Sequence, residues 1–314
     1  MKFLIQTDEN GQVLHDFSKT LIELKKFYEW LYQGNDEPII ELAYCCFEDK
    51  ESTASLHTLE DFIKFQSFPA ENEPYIYKFT PVGSVEFVRE FAKLAYETDY
   101  FPKPINVPEQ LMPELYSGRI CRNLKTGEDV YNYFGYVNMH LPLTDKRINR
   151  FFVKSLDTIK DERNGFYDVI PDLDNGSMTC EARLHEGHEV HKIFDYRSFE
   201  EFTNCQVSTM LEYIESEWRV FVYKGKGIDV KNYSGDPFVF PKTERIYQFI
   251  DQYTDAPEAY TLDVAVTNNG TWVLLCHDFF SCGLYGCTDK NIPFMLNRAW
   301  FNIKNDILKH KNNG

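Results

Sequence analysis

The residues best equipped for chemistry lie near the C-terminal end, between Tyr260 and Tyr285. Leu262, Val264 and Val266 alternate with Asp263 and Ala265, Asn269-Gly270 signals a tight turn, and Trp272 to Leu275 resumes an apolar run. That pattern predicts a β-hairpin. Asp263 falls on its first arm and Asp278 just past its second, and antiparallel pairing can bring residues so placed to one end of the hairpin. Two carboxylates there would suit magnesium, which takes one or two of them and leaves its other positions to phosphate oxygens and water. The same pattern also allows Asp263 to face solvent and Asp278 to form a turn.

Candidate cations precede this hairpin. In Glu215 to Tyr233, Arg219 alternates with Trp218 and Val220, Lys224-Gly225-Lys226-Gly227 makes a turn, and Ile228 to Tyr233 returns. Arg219 and Lys231 therefore sit on opposite arms, where the right register would aim both into one space; otherwise they are exposed cations. Phe151 to Ser155 reads as a short apolar strand with Lys154 embedded in it, and Lys160 follows. A lysine inside such a strand is costly to bury alone, so it should face a charged ligand, an acidic neighbour or solvent. Gly83-Ser84 opens a predicted helix over Val85 to Tyr96, offering backbone N–H groups to an anion or serving as a plain N-cap.

Other patterns carry less. His185, His188 and His191 are three apart around a Gly, not four apart on a helix as zinc proteases require, and read as a polar turn. Cys276, His277, Cys282 and Cys287 lack the paired close spacing of structural zinc sites. The eight Cys are irregularly placed, which fits reduced thiols in a cytoplasmic protein. No secretion signal and no run of roughly 20 apolar residues appears. A net charge of -16 argues against a broad nucleic-acid surface. With 43% hydrophobic and 16% aromatic residues, the 314-residue chain can fill two or three cores.

The elements that must position these groups follow from periodicity. Phe3 to Gln6 and Ile39 to Cys46 are strand candidates, with a helix between them carrying Leu21, Leu24, Phe27 and Leu31. Pro102 to Pro108 is an extended connector. Met112 to Tyr116 makes a short helix, and Arg119, Arg122 and Lys125 form a weak basic cluster. Residues 120–150 read as a connection, and Asp161 to Ser177 as a polar, Gly-bearing stretch. Ser198 to Asn204 predicts a short helix, Val207 to Ile214 a strand, 243–256 an amphipathic helix, and Ile292 to Leu308 a closing helix with a polar tail.

No Gly-rich phosphate loop of the Walker type occurs. Instead, Pro81-Val-Gly-Ser-Val-Glu-Phe-Val88, Pro102-Lys-Pro-Ile-Asn-Val-Pro108, Phe152-Val-Lys154, Ser216-Glu-Trp-Arg-Val-Phe221 and Asp278-Phe-Phe-Ser-Cys-Gly-Leu-Tyr-Gly286 together resemble a clade of small bacterial and phage ATP-grasp proteins predicted to be peptide or amide ligases. The resemblance spans most of the chain. It implies an α+β fold in which two ATP-grasp lobes, residues 121–206 and 207–314, clamp ATP, preceded by an α/β pre-ATP-grasp-like domain over 1–120 on the substrate side.

It implies, further, an ATP-dependent carboxylate–amine ligase acting on small-molecule or peptide substrates with Mg2+. Lys154, and more weakly Lys160, would contact the ATP phosphates; the strand Met210-Leu211-Glu212-Tyr213 would read adenine. Arg219, supported by Lys231, would hold the transferred phosphoryl group or the acyl phosphate. Asp263 matches the first metal-binding acid, with Asp278 a second candidate, while Gly83, Ser84 and His277 are candidate substrate contacts. One departure stands out: the family's usual Glu-x-Asn on the last strand is here Leu275 and His277. That change favours either a rebuilt metal site, a single ion, or a nucleotide-binding protein with weakened catalysis; phosphotransfer is a further alternative.

Overall fold

The protein is described here by a computed structural model covering residues 1–32, 39–47, 58–66, 69–70, 73–140, 149–157, 164–172, 177–183, 193–194, 202–280 and 282–313. The N-terminal unit runs through β1 (Lys2–Thr7), α1 (Asp16–Leu31), β2 (Glu41–Cys46), α2 (Leu59–Gln66), the two-residue strands β3 (Pro69–Ala70) and β4 (Glu73–Pro74), β5 (Phe79–Val82) and α3 (Val85–Tyr96). Strand β1 lies between β2 and β5, parallel to both. Parallel strands carry helices on both faces and need apolar residues on both. Accordingly Phe3 and Ile5 pack toward α1, and Leu4 toward α2 and α3.

Helix α1 buries Phe17, Leu21, Leu24 and Tyr28, a stripe of four and three residue steps. Phe27 and Leu31, expected on that face, are turned outward and remain 39% and 49% exposed.

The Pro102–Pro108 connector is irregular, as predicted. Helix α4 (Glu114–Ser117) ends at Gly118, whose φ of +63° and contact with the Trp272 ring leave no room for a side chain. The segment read as a connection instead supplies β6 (Cys121–Leu124) and α5 (Gly127–His140). As the edge of its sheet, β6 leaves Arg122 and Asn123 exposed, so no apolar run announced it.

Strands β7 (Asn149–Ser155), β8 (Gly165–Asp172), β9 (Ser177–Arg183), β10 (Ile193–Phe194) and β11 (Cys205–Thr209) complete a six-stranded sheet in the order β10-β9-β8-β7-β11-β6. Part of the stretch read as polar loop is therefore strand β8. Residues 202–204, in the predicted short helix, are not helical. Val130, Phe134, Phe151, Val153 and Val207 fill the core of this first lobe.

The second sheet, order β13-β12-β14-β15, is built from β12 (Ile214–Tyr223), β13 (Lys226–Gly235), β14 (Ala259–Thr267) and β15 (Gly270–Asp278), with α6 (Thr243–Gln252) packed on it. Both predicted hairpins are present and are joined edge to edge through β12 and β14. Because β11 pairs with β6 and β7, the chain changes sheet at residues 210–213.

The last helix, α7 (Ile292–Asn313), includes most of the residues read as a polar tail. Its Met295 and Leu296 join the α1 core, and Trp300, Ile303 and Ile307 join Phe87 and Phe91 of α3. The C-terminal helix thus straps the N-terminal unit to the second lobe. Among the described residues no helix is long and apolar enough to cross a membrane.

Candidate functional site

Pairing in the second sheet sets four residues in one row: Lys231 on β13 opposes Arg219 on β12, Arg219 opposes Asp263 on β14, and Asp263 opposes Leu275 on β15. Directly opposed residues share a face, so the register brings the guanidinium onto the carboxylate. Arg219 Nε donates to Asp263 Oδ1 and Nη2 to Oδ2, both at 2.7 Å, with Arg219 5% and Asp263 2% exposed. Arg219 Nη1 donates to the Gly283 carbonyl at 3.0 Å. His277 Nε2 lies 3.2 Å from Asp263 Oδ2.

These contacts set the charges. Burial opposes the Asp263 carboxylate, but hydrogen bonds from Arg219 and His277 outweigh it and hold its pKa below the ordinary value. Burial lowers the His277 pKa, only partly offset by Asp263. The stacked Tyr233 and Tyr285 rings, 5.1 Å apart, cover the guanidinium, whose carbon lies 5.0 Å from the Tyr285 ring centre.

This face forms one wall of a cleft of about 580 Å³ between the two sheets. Phe152 and Phe166 line it from the first lobe, Met210 and Leu211 from the crossing segment, and Arg219, Asp263, Leu275 and His277 from the second. The crossing segment corrects the expected strand through Ile214: β11 stops at Thr209, and Met210 to Tyr213 is irregular. A chain leaving one sheet for another cannot continue the first ladder. Tyr213, at φ +54° and 73% exposed, points away together with exposed Glu212, so only Met210 and Leu211 face the cleft.

Arg119 also lines the cleft, and was no more than part of a weak basic cluster in the sequence. It is 8% exposed, donates from Nη2 to the Leu274 carbonyl at 2.7 Å, and has no acidic partner among the described residues; its Nε is buried without a partner. Burial lowers its pKa. A buried cation without an ion pair is costly unless water, an ion or a ligand completes it. Glu217, quoted in the Ser216–Phe221 motif without a role, and Tyr233 line the same cleft.

Lys154 faces a second, smaller cavity of about 100 Å³, which it lines with Val85, Pro104, Ile105, His277, Asp278, Phe280 and Cys282. It is 8% exposed and makes no hydrogen bond or ion pair with a described residue; burial, only partly offset by Cys276, Asp263 and Asp278, lowers its pKa to about 8. Asp278 Oδ2 accepts from the Ile105 backbone N–H at 3.0 Å, yet burial still pushes its pKa up. His277 lines both cavities and marks their junction.

Other candidates are not gathered here. Asp263 and Asp278 line different cavities, because Asp278 pairs with Tyr260, three positions along β14 from Asp263. Lys231 opposes Arg219 as the hairpin predicted, but its ammonium pairs with Asp229 at 3.1 Å and does not line the cleft. Ser84 caps α3 by accepting from the Phe87 N–H, and its own N–H donates to Gln6 Oε1 at 2.7 Å, which favours the plain cap over an anion site at Gly83-Ser84. Lys160 and the His185, His188, His191 stretch lie outside the described residues.

The donor set does not fit a resident two-carboxylate magnesium site. Both Asp263 oxygens are engaged, the residue opposite is Leu275, and among the described residues no group of three or more His, Cys, Asp or Glu side chains converges to hold a metal. The cleft does fit a nucleotide polyphosphate: it is roomy, apolar at the crossing segment and cationic at Arg119 and Arg219.

Two lobes facing each other across such a cleft, behind a parallel α/β unit, make an ATP-grasp fold, that of a superfamily of ATP-dependent carboxylate–amine ligases. Within it, residues 150–293 match the family described as ATP-grasp domain, R2K clade family 2. No curated protein matches the sequence. Among solved structures, the chain is similar to N5-carboxyaminoimidazole synthetase from Staphylococcus aureus complexed with ADP, at 11% identity and TM-score 0.45, covering 91% of this chain and 71% of that one. It is also similar to D-alanine–D-alanine ligase from Bacillus anthracis, at 9% identity and TM-score 0.43 over 97% and 98% of the two chains. A RimK domain ATP-grasp protein from Sphaerobacter thermophilus shares 13% identity at TM-score 0.37 over 95% and 99%. Likeness this distant does not extend to substrates.

Proposed function

We propose that the protein is an ATP-dependent ligase that joins a small-molecule or peptide carboxylate to an amine through an acyl phosphate. The observation that carries this reading is Arg119, a buried guanidinium with no ion-pair partner among the described residues, facing the same inter-lobe cleft as Arg219. ATP would lie there with adenine against Met210 and Leu211, and its phosphates toward the two arginines.

The substrate carboxylate oxygen attacks the γ-phosphorus; the O–P bond forms as the β–γ bridge breaks and ADP leaves. The amine nitrogen then attacks the acyl carbon, the C–N bond forms, phosphate departs with the C–O bond electrons, and the nitrogen gives up a proton. The arginines stabilise charge that builds on the transferred group, in a site where they are already oriented. Closure of the lobes would hold both reactants in line and shed water. Any magnesium would arrive with the nucleotide.

Leu275 opposite Asp263 favours a second reading, a nucleotide-binding protein with weakened catalysis that acts through protein partners. Incubation with ATP and paired carboxylates and amines separates the readings by mass spectrometry. ADP and phosphate released only when both substrates are present, with an amide product, supports the ligase. ADP with a phosphorylated product and no amide indicates phosphotransfer, and binding without turnover supports the second reading.

A further inference from the structure

Helix α1 carries more apolar surface than its own core uses. Its buried stripe includes Phe17, Leu21, Leu24 and Tyr28, yet Phe27, Trp30, Leu31 and Tyr32 are exposed, Trp30 by 67%. Single exposed apolar side chains are ordinary, so what matters is that these rings are joined. Ring contacts run from Trp30 to Phe27 at 6.4 Å, from Phe27 to Tyr28 at 5.6 Å, and from Tyr28 to Tyr32 at 6.2 Å and to Phe294 at 6.1 Å. Phe294 belongs to α7, whose exposed Phe301 lies two turns on along the same face, with the Arg298 guanidinium carbon 5.0 Å from its ring centre. The patch thus spans α1 and α7, and none of its exposed members lines either cavity.

Area and charge together indicate what covers it. At about 200 Å² per aromatic side chain, the exposed parts of Phe27, Trp30, Tyr32, Phe294 and Phe301 come to on the order of 450 Å². A stable interface of ordinary size takes about 800 Å² from each partner, about 56–65% of it apolar, and the patch supplies that apolar share. The chain carries a net charge of -16, so two copies repel across most of their surfaces. Here they do not: in α1, Lys19, Lys25 and Lys26 balance Asp16, Glu23 and Glu29, and on α7 Arg298 pairs with Glu258 at 2.6 Å. A face without excess charge can meet its own copy, whereas a strongly acidic or basic partner would find no field to match.

We infer that this face joins two copies of the chain in an isologous dimer, with α1 packed antiparallel on α1 of the second copy. Asp16, Lys19, Glu23, Phe27 and Trp30 recur at steps of three and four and so share one flank of the helix. A two-fold axis beside Phe27 and Trp30 brings each ring onto the aromatic end of the other helix and leaves Asp16, Lys19 and Glu23 at the border. That gives an apolar centre within a polar rim. It also accounts for Phe27 and Leu31, which follow the apolar spacing of α1 and yet turn away from its core. The dimer does not depend on the ligase reading.

Sedimentation equilibrium of the full chain from about 1 to about 100 µM should show twice the mass of one chain, since interfaces of this size dissociate at micromolar concentration or below. Phe27→Glu and Trp30→Glu, both at exposed positions, should each weaken association at least about a hundredfold while the melting temperature and the affinity for a fluorescent ATP analogue stay unchanged. Phe238→Glu, at an exposed ring after β13, should leave the dimer intact. Trp30 is the most exposed tryptophan, so iodide quenching of tryptophan fluorescence should fall as the unaltered chain associates. In Trp30→Phe, which keeps the apolar contact, that fall should vanish. A monomer at every concentration would overturn the proposal, as would an assembly of more than two copies. So would a dimer that survives Phe27→Glu and Trp30→Glu, one that Phe238→Glu dissociates equally, or quenching that does not change with association.

Discussion

Leu275 pairs directly with Asp263 across β14 and β15, so an apolar side chain flanks the buried carboxylate that Arg219 grips from the other side. Nucleotide affinity in the unaltered chain should accordingly change by less than about threefold between excess magnesium and excess EDTA, since of the two carboxylates lining the cleft Asp263 is already held by Arg219 and His277, and Glu217 stands opposite Ala265, two positions further along β14. Leu275→Glu places a second carboxylate opposite the first and should make affinity for a fluorescent ATP analogue rise about tenfold with magnesium. The same change should lower stability by about 0.2–1 kcal/mol, because like charges then face each other. Strong magnesium dependence in the unaltered chain would count against this account.

The Arg219–Asp263 pair makes a clear stability prediction. Both groups are almost fully buried, so removing one strands the other. Arg219→Met and Asp263→Asn should each cost about 3–5 kcal/mol in urea unfolding, and the double variant should cost less than the sum. Additive losses would mean that the two bonds contribute little beyond packing.

Arg119 should behave in the opposite way. It forms no ion pair with a described residue, so Arg119→Met should leave the melting temperature unchanged or higher while weakening nucleotide binding by about 1.5–3 kcal/mol, the scale of hydrogen bonds to charged groups. Unchanged nucleotide affinity in a folded Arg119→Met protein would remove the observation on which the proposed function rests.

Lys154 should leave a signature in the pH dependence. Its folded pKa is about 8, below the ordinary lysine value of 10.5, so between those values the unfolded chain binds the extra proton. Stability contributed by this group is therefore lowest below pH 8 and rises as pH climbs toward 10.5, by on the order of 3 kcal/mol if the whole shift is expressed. Urea unfolding at intervals across that window should show the rise in the unaltered chain and a flatter profile in Lys154→Met. Identical slopes in both proteins would show that the ammonium is not desolvated as described.

Asp263 has the other sign. Its folded pKa is depressed, so its contribution is fully present above the ordinary carboxylate value and is lost as pH falls through the lower folded one. Asp263→Asn should abolish that part of the acid-side loss, read as a smaller drop in unfolding free energy between neutral and acidic pH.

What could be read from residues alone was whatever depends on near neighbours. Alternation and turn residues located both C-terminal hairpins and put Arg219 across from Lys231, and apolar spacing with Ser84 located α3 and its cap. Short apolar runs likewise marked β1 and β7. The edge strand β6 and the breadth of α7 escaped, because an edge needs few apolar residues and a polar helix end carries no stripe. Which charges end up buried together was decided by the tertiary structure. Arg119 reaches the Leu274 carbonyl 155 residues away, and Ile105 donates to Asp278 across 173. Periodicity reports which face a side chain takes within its own element, whereas desolvation and pairing depend on what distant elements bring to that face. For that reason the sequence could name Lys154, Asp263 and Asp278 as candidates, and only packing divided them between two cavities.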